Sequence, residues 1–203
     1  MRSTQMMLRN GIAAFALALL LGCANPSYNS VKSDVTVTGW RTIAVTPFRG
    51  EQQYAADATD VFVIHMMKQN QLTVIEPSTV EVKAREVLVQ AKGDILTAYE
   101  AQQVGQLVNA DAVIIGSVSS HNNGATMNGF TTARLVDTRT GQVIAASHRP
   151  SGLLFGWSVH QAVMASTERV AKDILDALKK IHFATTPVPS PHKQDTEVTK
   201  DRA

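Results

Sequence analysis

Residues 110–118 read Ala-Asp-Ala-Val-Ile-Ile-Gly-Ser-Val, and polar residues lie on both sides of this run. A near-continuous stretch of Val and Ile is typical of a strand that is buried on both faces of a sheet. Such a strand lies at the centre of the domain, with other strands beside it and helices above and below it. The stretch therefore predicts an α/β fold.

The segments on either side alternate between strand and helix patterns. Before the central strand we predict strands at 42–48 and 72–75 and helices at 55–69, 78–92 and 97–109, and after it strands at 125–137 and 142–147 and a helix at 158–182. The spacing of Ser78 and Glu81 is that of a capping box, which predicts the start of the second helix. Together these elements predict a single α/β (α+β) domain with a mixed parallel and antiparallel sheet of about five strands. Helices flank this sheet, the last of them long, C-terminal and amphipathic.

The N-terminal segment, residues 1–22, has the pattern of a secretory signal. Arg2 and Arg9 precede an apolar run from Ile12 to Leu21, which is too short to span a bilayer, since spanning needs about 20 residues. The run is followed by Leu20-Leu21-Gly22-Cys23, which resembles the lipobox of bacterial lipoproteins, with cleavage between Gly22 and Cys23. A plain signal peptide that leaves Cys23 as a free thiol is the alternative.

The resemblance to a lipobox implies that Cys23 carries covalent diacylglycerol and an N-acyl chain, with palmitate among the fatty acids. We expect no other cofactor. Two acyl chains suffice for stable anchoring. By analogy with lipoprotein sorting, Ala24 in place of Asp implies the periplasmic face of the outer membrane. Loss of Arg2 and Arg9 leaves 17 basic and 17 acidic side chains. Because no cluster of Lys and Arg remains, we expect no binding of nucleic acid.

The composition supports one folded domain with polar ends. The chain has 203 residues, of which 44% are hydrophobic and 18% are charged, as in ordinary globular proteins. Residues 23–39 are predicted to be the lipidated cysteine and a flexible linker, which spans about 20–25 Å as a random coil. Residues 40–183 form the periplasmic domain, and residues 184–203 a disordered tail that contains proline.

No pattern of catalytic or metal-binding residues is evident in the sequence. The chain has no Gly-rich phosphate loop, no Gly-x-Ser-x-Gly elbow and no histidine pair at the helical spacing of a metal site. The single cysteine excludes a disulfide framework within one chain. We therefore expect no catalytic residues and no metal site, while an envelope hydrolase or a metal-dependent enzyme that uses some of the six scattered histidines is the alternative.

One predicted loop, residues 150–157, is unusually apolar. It contains Leu153, Leu154, Phe155 and Trp157. Either this loop folds over the core of the domain, or it is a contact surface for another subunit, another protein or the inner leaflet, because exposed apolar patches mark such sites. We interpret the four side chains as a partner-binding surface.

The order of these motifs resembles that of a bacterial envelope lipoprotein superfamily. The strand at 42–48, the Ala-Asp-Ala-Val-Ile-Ile-Gly strand and the Leu-Val-Asp-x-x-Thr-Gly hairpin at 135–141 carry the resemblance. Members include the curli secretion channel lipoprotein, the lipoprotein activator of a penicillin-binding protein and a flagellar outer-membrane lipoprotein. The amino-terminal domain of the Tol propeller protein is similar.

This resemblance implies a non-enzymatic periplasmic protein that binds an envelope protein partner and assists assembly or secretion. A ring-forming component of a curli-type channel, and hence a homo-oligomer, is one alternative, although residues 116–137 and 141–158 leave no room for pairs of membrane-spanning strands. An activator of peptidoglycan synthesis is another, although the predicted linker is too short to cross the periplasm.

Overall fold

The computed structural model describes residues 28–31, 36–68, 72–122, 127–151 and 158–184. The strands are β1 (Tyr28–Val31), β2 (Thr36–Thr38), β3 (Thr42–Val45), β4 (Arg49–Gly50), β5 (Thr73–Ile75), β6 (Ala112–Asn122), β7 (Met127–Asp137), β8 (Val143–Pro150) and β9 (His182–Ala184). The helices are α1 (Gln52–Met67), α2 (Pro77–Lys83), α3 (Arg85–Gln90), α4 (Ala98–Val108) and α5 (Val159–Lys180). In these ranges no helix is long and apolar enough to cross a membrane.

The main sheet is mixed and has seven strands, in the order β1-β8-β7-β6-β3-β5, with β4 paired to β6 beyond the end of β3. The pairs of β3 with β5 and with β6 are parallel. The pairs of β6 with β7, of β7 with β8 and of β1 with β8 are antiparallel. The predicted mixed sheet is confirmed, but the prediction of about five strands is too low.

The predicted central strand is β6, and it is buried on both faces. Its residues Ala112–Gly116 are all buried. Ile114 belongs to the larger core cluster, with residues of α1 and α5, whereas Val113 and Ile115 belong to a second cluster, with residues of α2 and α4. The helices therefore form two layers, α1 with α5 on one face of the sheet and α2 to α4 on the other.

The helix α5 packs along β7 through a buried group of hydroxyls as well as through apolar contacts. Thr131 Oγ1 lies 2.7 Å from Ser166 Oγ and 2.9 Å from Thr167 Oγ1. The hydroxyls of Ser166 and Thr167 also donate to the carbonyl of Val163, at 2.8 and 2.9 Å. These polar groups are thus satisfied inside the core, as buried polar groups must be.

The segment predicted as one helix from residue 78 is two helices. Ala84, at φ −112° and ψ 19°, separates α2 from α3. The capping box predicted at Ser78 and Glu81 is wrong, because the helix starts at Pro77 with Glu76 as N-cap and no side-chain cap. Proline favours this first helical position, since its ring fixes φ and its missing N–H would have no partner there.

Two strands lie within the segment predicted as a linker. Residues 28–31 form β1 at the edge of the main sheet, and residues 36–38 form β2, which pairs in parallel with β9. The sheet therefore extends into this segment and leaves a shorter stretch, residues 24–27, between Cys23 and the first strand. Residues 185–203 of the predicted tail lie outside the described residues.

Candidate functional site

The residues singled out from the sequence as sites all lie outside the described residues. These are the cleavage residue Gly22, the lipidation residue Cys23 and the apolar residues Leu153, Leu154, Phe155 and Trp157. The structure nevertheless defines the chain beside them, since Tyr28 follows the first pair closely and Ser151 and Ser158 flank the apolar residues.

The strand ends that adjoin these two stretches of sequence lie at one corner of the sheet. In the antiparallel pair of β1 and β8, Tyr28 lies opposite His148 and Val31 lies opposite Ala145. The start of β1 and the end of β8 are therefore at the same end of the sheet. We call this place, formed by Tyr28 and by residues 148–150, the β1–β8 corner. The chain leaves it in one direction towards Cys23 and in the other towards residues 152–157.

The end of β8 is fixed to the neighbouring strand just before the apolar segment. The backbone N–H of Ser151 donates to the carbonyl of Gly129 at 2.8 Å, and the N–H of Gly129 donates to Ser151 Oγ at 3.0 Å. Gly129 also touches the backbone of α5, because a Cβ at this position would lie 2.3 Å from the nitrogen of Val163. Only glycine allows this close approach.

An ion pair joins the same end of β8 to α5. Asp173 accepts from Arg149 Nε at 2.7 Å, from Arg149 Nη2 at 3.0 Å and from Ser147 Oγ at 2.6 Å. Burial alone would raise the pKa of the Asp173 carboxyl, but the hydrogen bonds from Arg149 and Ser147 outweigh it and hold this pKa below its ordinary value. The hydrogen bond to Asp173 raises the pKa of Arg149. In addition, Arg169 Nη1 donates to the carbonyl of Pro150 at 3.2 Å.

The other end of the apolar segment is fixed by the first turn of α5. Ser158 Oγ accepts from the N–H of Gln161 at 3.2 Å, and the Gln161 side chain accepts from the N–H of Ser158 at 3.0 Å. This is a capping box. His160 Nε2 lies 2.8 Å from Asp57 Oδ2 on α1, with the ring of Tyr54 6.1 Å away. Ser151 and Ser158, the described residues on either side of 152–157, are therefore both fixed by hydrogen bonds.

The two aspartates of the recognised motifs hold the opposite end of the sheet. Asp111 Oδ2 accepts from the N–H groups of Arg41 at 2.7 Å and Thr42 at 2.9 Å, which fixes the start of β3 beside β6. Asp137 Oδ2 accepts from the indole N–H of Trp40 at 3.0 Å, and its Oδ1 accepts from the N–H of Thr140 at 2.6 Å. Both carboxylates thus have loop and turn roles, bonding to backbone and indole N–H groups rather than to a second acid.

The histidines of the described structure lie on five different elements. His65 lies on α1, His121 on β6, His148 on β8, His160 on α5 and His182 on β9. Burial, and next the charge of Lys68, lower the pKa of His65. Within the described ranges no group of three His, Cys, Asp or Glu side chains is arranged to hold a metal ion.

Three solved structures illustrate the similarity of this fold to known proteins. The PelC dodecamer from Paraburkholderia phytofirmans shares 13% identity, over 73% of this chain and 96% of that chain, with a TM-score of 0.46. Lipoprotein GNA1162 from Neisseria meningitidis shares 12%, over 68% and 98%, with a TM-score of 0.44. The LpoB C-terminal domain from Escherichia coli shares 19%, over 56% and 84%, with a TM-score of 0.38.

The sequence comparison gives a family rather than individual relatives. No curated protein matches the sequence. Residues 39–150 match the family model described as "FlgO protein". This range is more than half of the 203 residues and contains the strands from β3 to β8, with both motif aspartates, Asp111 and Asp137.

Proposed function

The chain belongs to the FlgO protein family, and from this membership and the sequence around Cys23 we propose that it is a lipoprotein of the outer membrane. Its acylated Cys23 holds the domain at the periplasmic face. The domain has no enzymatic activity and binds an envelope protein partner in the assembly of an envelope or secretion structure. The family membership agrees with the resemblance to envelope lipoproteins that the motifs predicted.

The observation that carries this proposal is the position of the β1–β8 corner relative to Cys23. Only residues 24–27 separate Cys23 from Tyr28, so the first strand begins within about 17 Å of the cysteine even when the chain is fully extended. A domain tethered so closely has one end of its sheet at the membrane. That end is the one from which residues 152–157 depart.

The same geometry supports a role for the apolar residues. Leu153, Leu154, Phe155 and Trp157 lie in the sequence between Ser151, which follows the end of β8 at the β1–β8 corner, and Ser158. Large apolar and aromatic side chains are the residues that dominate protein interfaces. We therefore propose that they contact the envelope partner next to the membrane surface.

The test of the anchor is incorporation of radiolabelled palmitate in cells, with membrane fractionation. The wild-type protein is expected to incorporate label and to sediment with the outer membrane, and Cys23→Ser is expected to do neither. Ser27→Ala is the matched control, because it changes a hydroxyl in the same segment and leaves the lipobox intact. The anchor is contradicted if the wild-type protein incorporates no palmitate, or if the Cys23→Ser protein still sediments with the membrane.

A second variant tests the choice of membrane. Ala24→Asp keeps Cys23 and is expected to move the lipidated protein to the inner-membrane fraction. If this variant stays in the outer membrane, the sorting argument fails while the anchor itself stands.

A further inference from the structure

A crevice opens at the carboxyl ends of the parallel strands β3 and β5. The chain leaves β3 towards α1 on one face of the sheet, and it leaves β5 towards α2 on the other face. In open α/β sheets, ligands bind in the crevice where neighbouring strands lead to helices on opposite faces. This crevice contains an open cavity of about 480 Å³, which is within the range of pockets for small ligands.

The apolar wall of this cavity comes from three segments of the chain. It includes Phe48 after β3, Ala55 on α1, and Leu88 and Val89 on α3. The loop that carries Phe48 is fixed, because the N–H of Phe48 donates to Thr59 Oγ1 on α1 at 2.9 Å. A ligand therefore meets a preformed apolar surface, which reduces the entropy that is lost on binding.

The charged lining of the cavity has a net positive charge. Among the described residues it consists of Arg49, Glu81 and Arg85, so that two guanidinium groups accompany one carboxylate. Lys83 and Glu86 also lie on α2 and α3, but neither lines the cavity, and their charges cancel. The cavity is therefore complementary to a ligand with a single negative charge.

Arg49 is a half-buried cation without a carboxylate partner. Its guanidinium donates to the carbonyls of Leu88 at 3.0 Å, Ala91 at 2.7 Å and Gly93 at 2.7 Å. These bonds hold the guanidinium in place but leave its charge uncompensated, since Arg49 takes part in no ion pair of the described residues. Charged side chains that leave water are generally paired with an opposite charge. An anion in the cavity supplies this missing charge.

Arg85 is available to bind such an anion directly. Its side chain is exposed and takes part in no ion pair of the described residues. A guanidinium binds a carboxylate through two parallel hydrogen bonds. Glu81, which precedes Arg85 across the break at Ala84, places a repulsive charge in the same lining and so disfavours a ligand with several negative charges.

We propose that this cavity binds a small amphipathic carboxylate, that is, a ligand with one carboxylate group on an apolar body. The carboxylate pairs with Arg85 and compensates the charge of Arg49. The apolar body packs against Phe48, Leu88 and Val89. The site uses only residues of the folded domain, so it depends neither on the anchor at the N-terminus nor on the envelope partner proposed above.

Isothermal titration calorimetry of the purified full-length protein in detergent, with octanoate as the probe, tests this site. Titration of detergent without protein corrects for octanoate that enters micelles. Octanoate is expected to bind at least about tenfold more tightly than octanamide, which has the same apolar body without the charge. It is also expected to bind at least about tenfold more tightly than acetate, which has the charge without the apolar body.

Four variants test the charges of the lining. Arg85→Gln is expected to weaken octanoate binding at least about fivefold and to leave octanamide binding unchanged. Lys83→Gln is the matched control, because it removes the same charge from the same helix pair outside the cavity, and it is expected to bind octanoate like wild type. Glu81→Gln is expected to strengthen octanoate binding, because it removes a repulsive charge, whereas its control Glu86→Gln is expected to have no effect.

A fifth variant, Val89→Ser, tests the apolar wall and is expected to weaken both octanoate and octanamide. Thermal unfolding midpoints of all five variants are expected to stay close to wild type, because the changed side chains are exposed. The proposal is overturned if octanoate does not bind the wild-type protein, or if it binds no more tightly than octanamide. Equal loss of octanoate binding in Arg85→Gln and Lys83→Gln, or weaker binding in Glu81→Gln, also overturns it.

Discussion

Asp173 on α5 receives both Nε and Nη2 of Arg149 on β8, at 2.7 and 3.0 Å, and this pair fastens the last helix to the strand that leads into the apolar segment. The pair is half-buried, with Asp173 16% and Arg149 30% exposed. Its contribution to stability is thus between that of an exposed ion pair and that of a buried one.

Asp173→Asn is expected to lower the free energy of unfolding by about 1–2 kcal/mol at pH 7, after allowance for screening by solvent. The folded protein holds the pKa of Asp173 below its ordinary value. The pair therefore stabilises the fold above the ordinary Asp pKa of about 3.9, and this stability is lost as the pH falls through the lower pKa of the folded state. Urea unfolding at pH 7 and at pH 3 measures both effects.

In that experiment the difference between wild type and variant is expected to shrink at pH 3. Asp176→Asn is the matched control, because Asp176 pairs with Lys179 at 2.9 Å on the same helix but is 62% exposed. A loss that is equal for both variants, or that is independent of pH, would contradict the role given to Asp173.

Gly129→Ala is expected to destabilise the domain by about 2–3 kcal/mol, because the new methyl group collides with the backbone of α5 at Val163. Thermal unfolding followed by circular dichroism measures the loss. Gly39→Ala is the control for backbone strain alone, since Gly39 has φ +79° and nothing within 4 Å of a Cβ. Its cost is expected to be about 1 kcal/mol. Equal effects of the two substitutions would show that α5 moves aside freely.

Thr131→Val is expected to lower the free energy of unfolding by about 1–2 kcal/mol. The substitution removes one of the three buried hydroxyls and keeps the shape of the side chain, so the remaining two hydroxyls lose a partner. Thr131 is 0% exposed and contacts both Ser166 and Thr167. The triple variant Thr131→Val, Ser166→Ala and Thr167→Val is expected to lose less than the three single variants together. Strict additivity in urea unfolding would mean that the hydroxyls act independently.

The double variant Phe155→Ser and Trp157→Ser is expected to reduce recovery of the envelope partner by crosslinking on intact cells and to leave the unfolding midpoint unchanged. Ile64→Ser with Met67→Ser is the matched control, because these side chains are 57% and 59% exposed on α1. The control is expected to recover the partner normally. A fall in the unfolding midpoint of the double variant would instead assign the two aromatic residues to the core.

The parts of the fold that the sequence predicts are those that depend on neighbouring residues. The run at 110–118 identified the central strand, because burial on both faces demands apolar side chains at successive positions. The turn at 138–141 is likewise predictable, because Asp and Gly are the residue types that turns favour. In the structure Asp137 accepts from the N–H of Thr140, and Gly141 has φ +69°. Both features depend on residues close together in the chain.

The parts that were missed depend on distant partners. Strand β1 has a polar sequence and becomes a strand through its pairing with β8. Strand β6 continues to Asn122, beyond the predicted run at 110–118, because β7 pairs with it along its whole length. For the helix that starts at Pro77, however, a local signal was available, since proline is over-represented at the first position of helices.

In the candidate site, too, some features depend on neighbouring residues and others on distant partners. The proposal of Cys23 as the lipidation residue needs only its neighbours in the sequence. That the start of β1 lies at the same end of the sheet as the end of β8 could not be derived from the sequence, because it depends on the register that places Tyr28 opposite His148. The buried hydroxyls of α5 could have been predicted from the sequence. Ser166 and Thr167 fall at helical spacing between Val163 and Val170, on the buried face of the helix.

The parallel pairing of β2 with β9 has a consequence for the order in which the domain can assemble. Thr36–Thr38 binds His182–Ala184, so a strand near the start of the described chain is completed only by its last residues. Contacts of such long sequence separation form late and slow the folding of a domain. During synthesis, which begins at the N-terminus, β2 must wait for residues 182–184 to be added before it can pair. Shortening the chain before residue 182 would therefore leave β2 without a partner, although every residue of the main sheet is present.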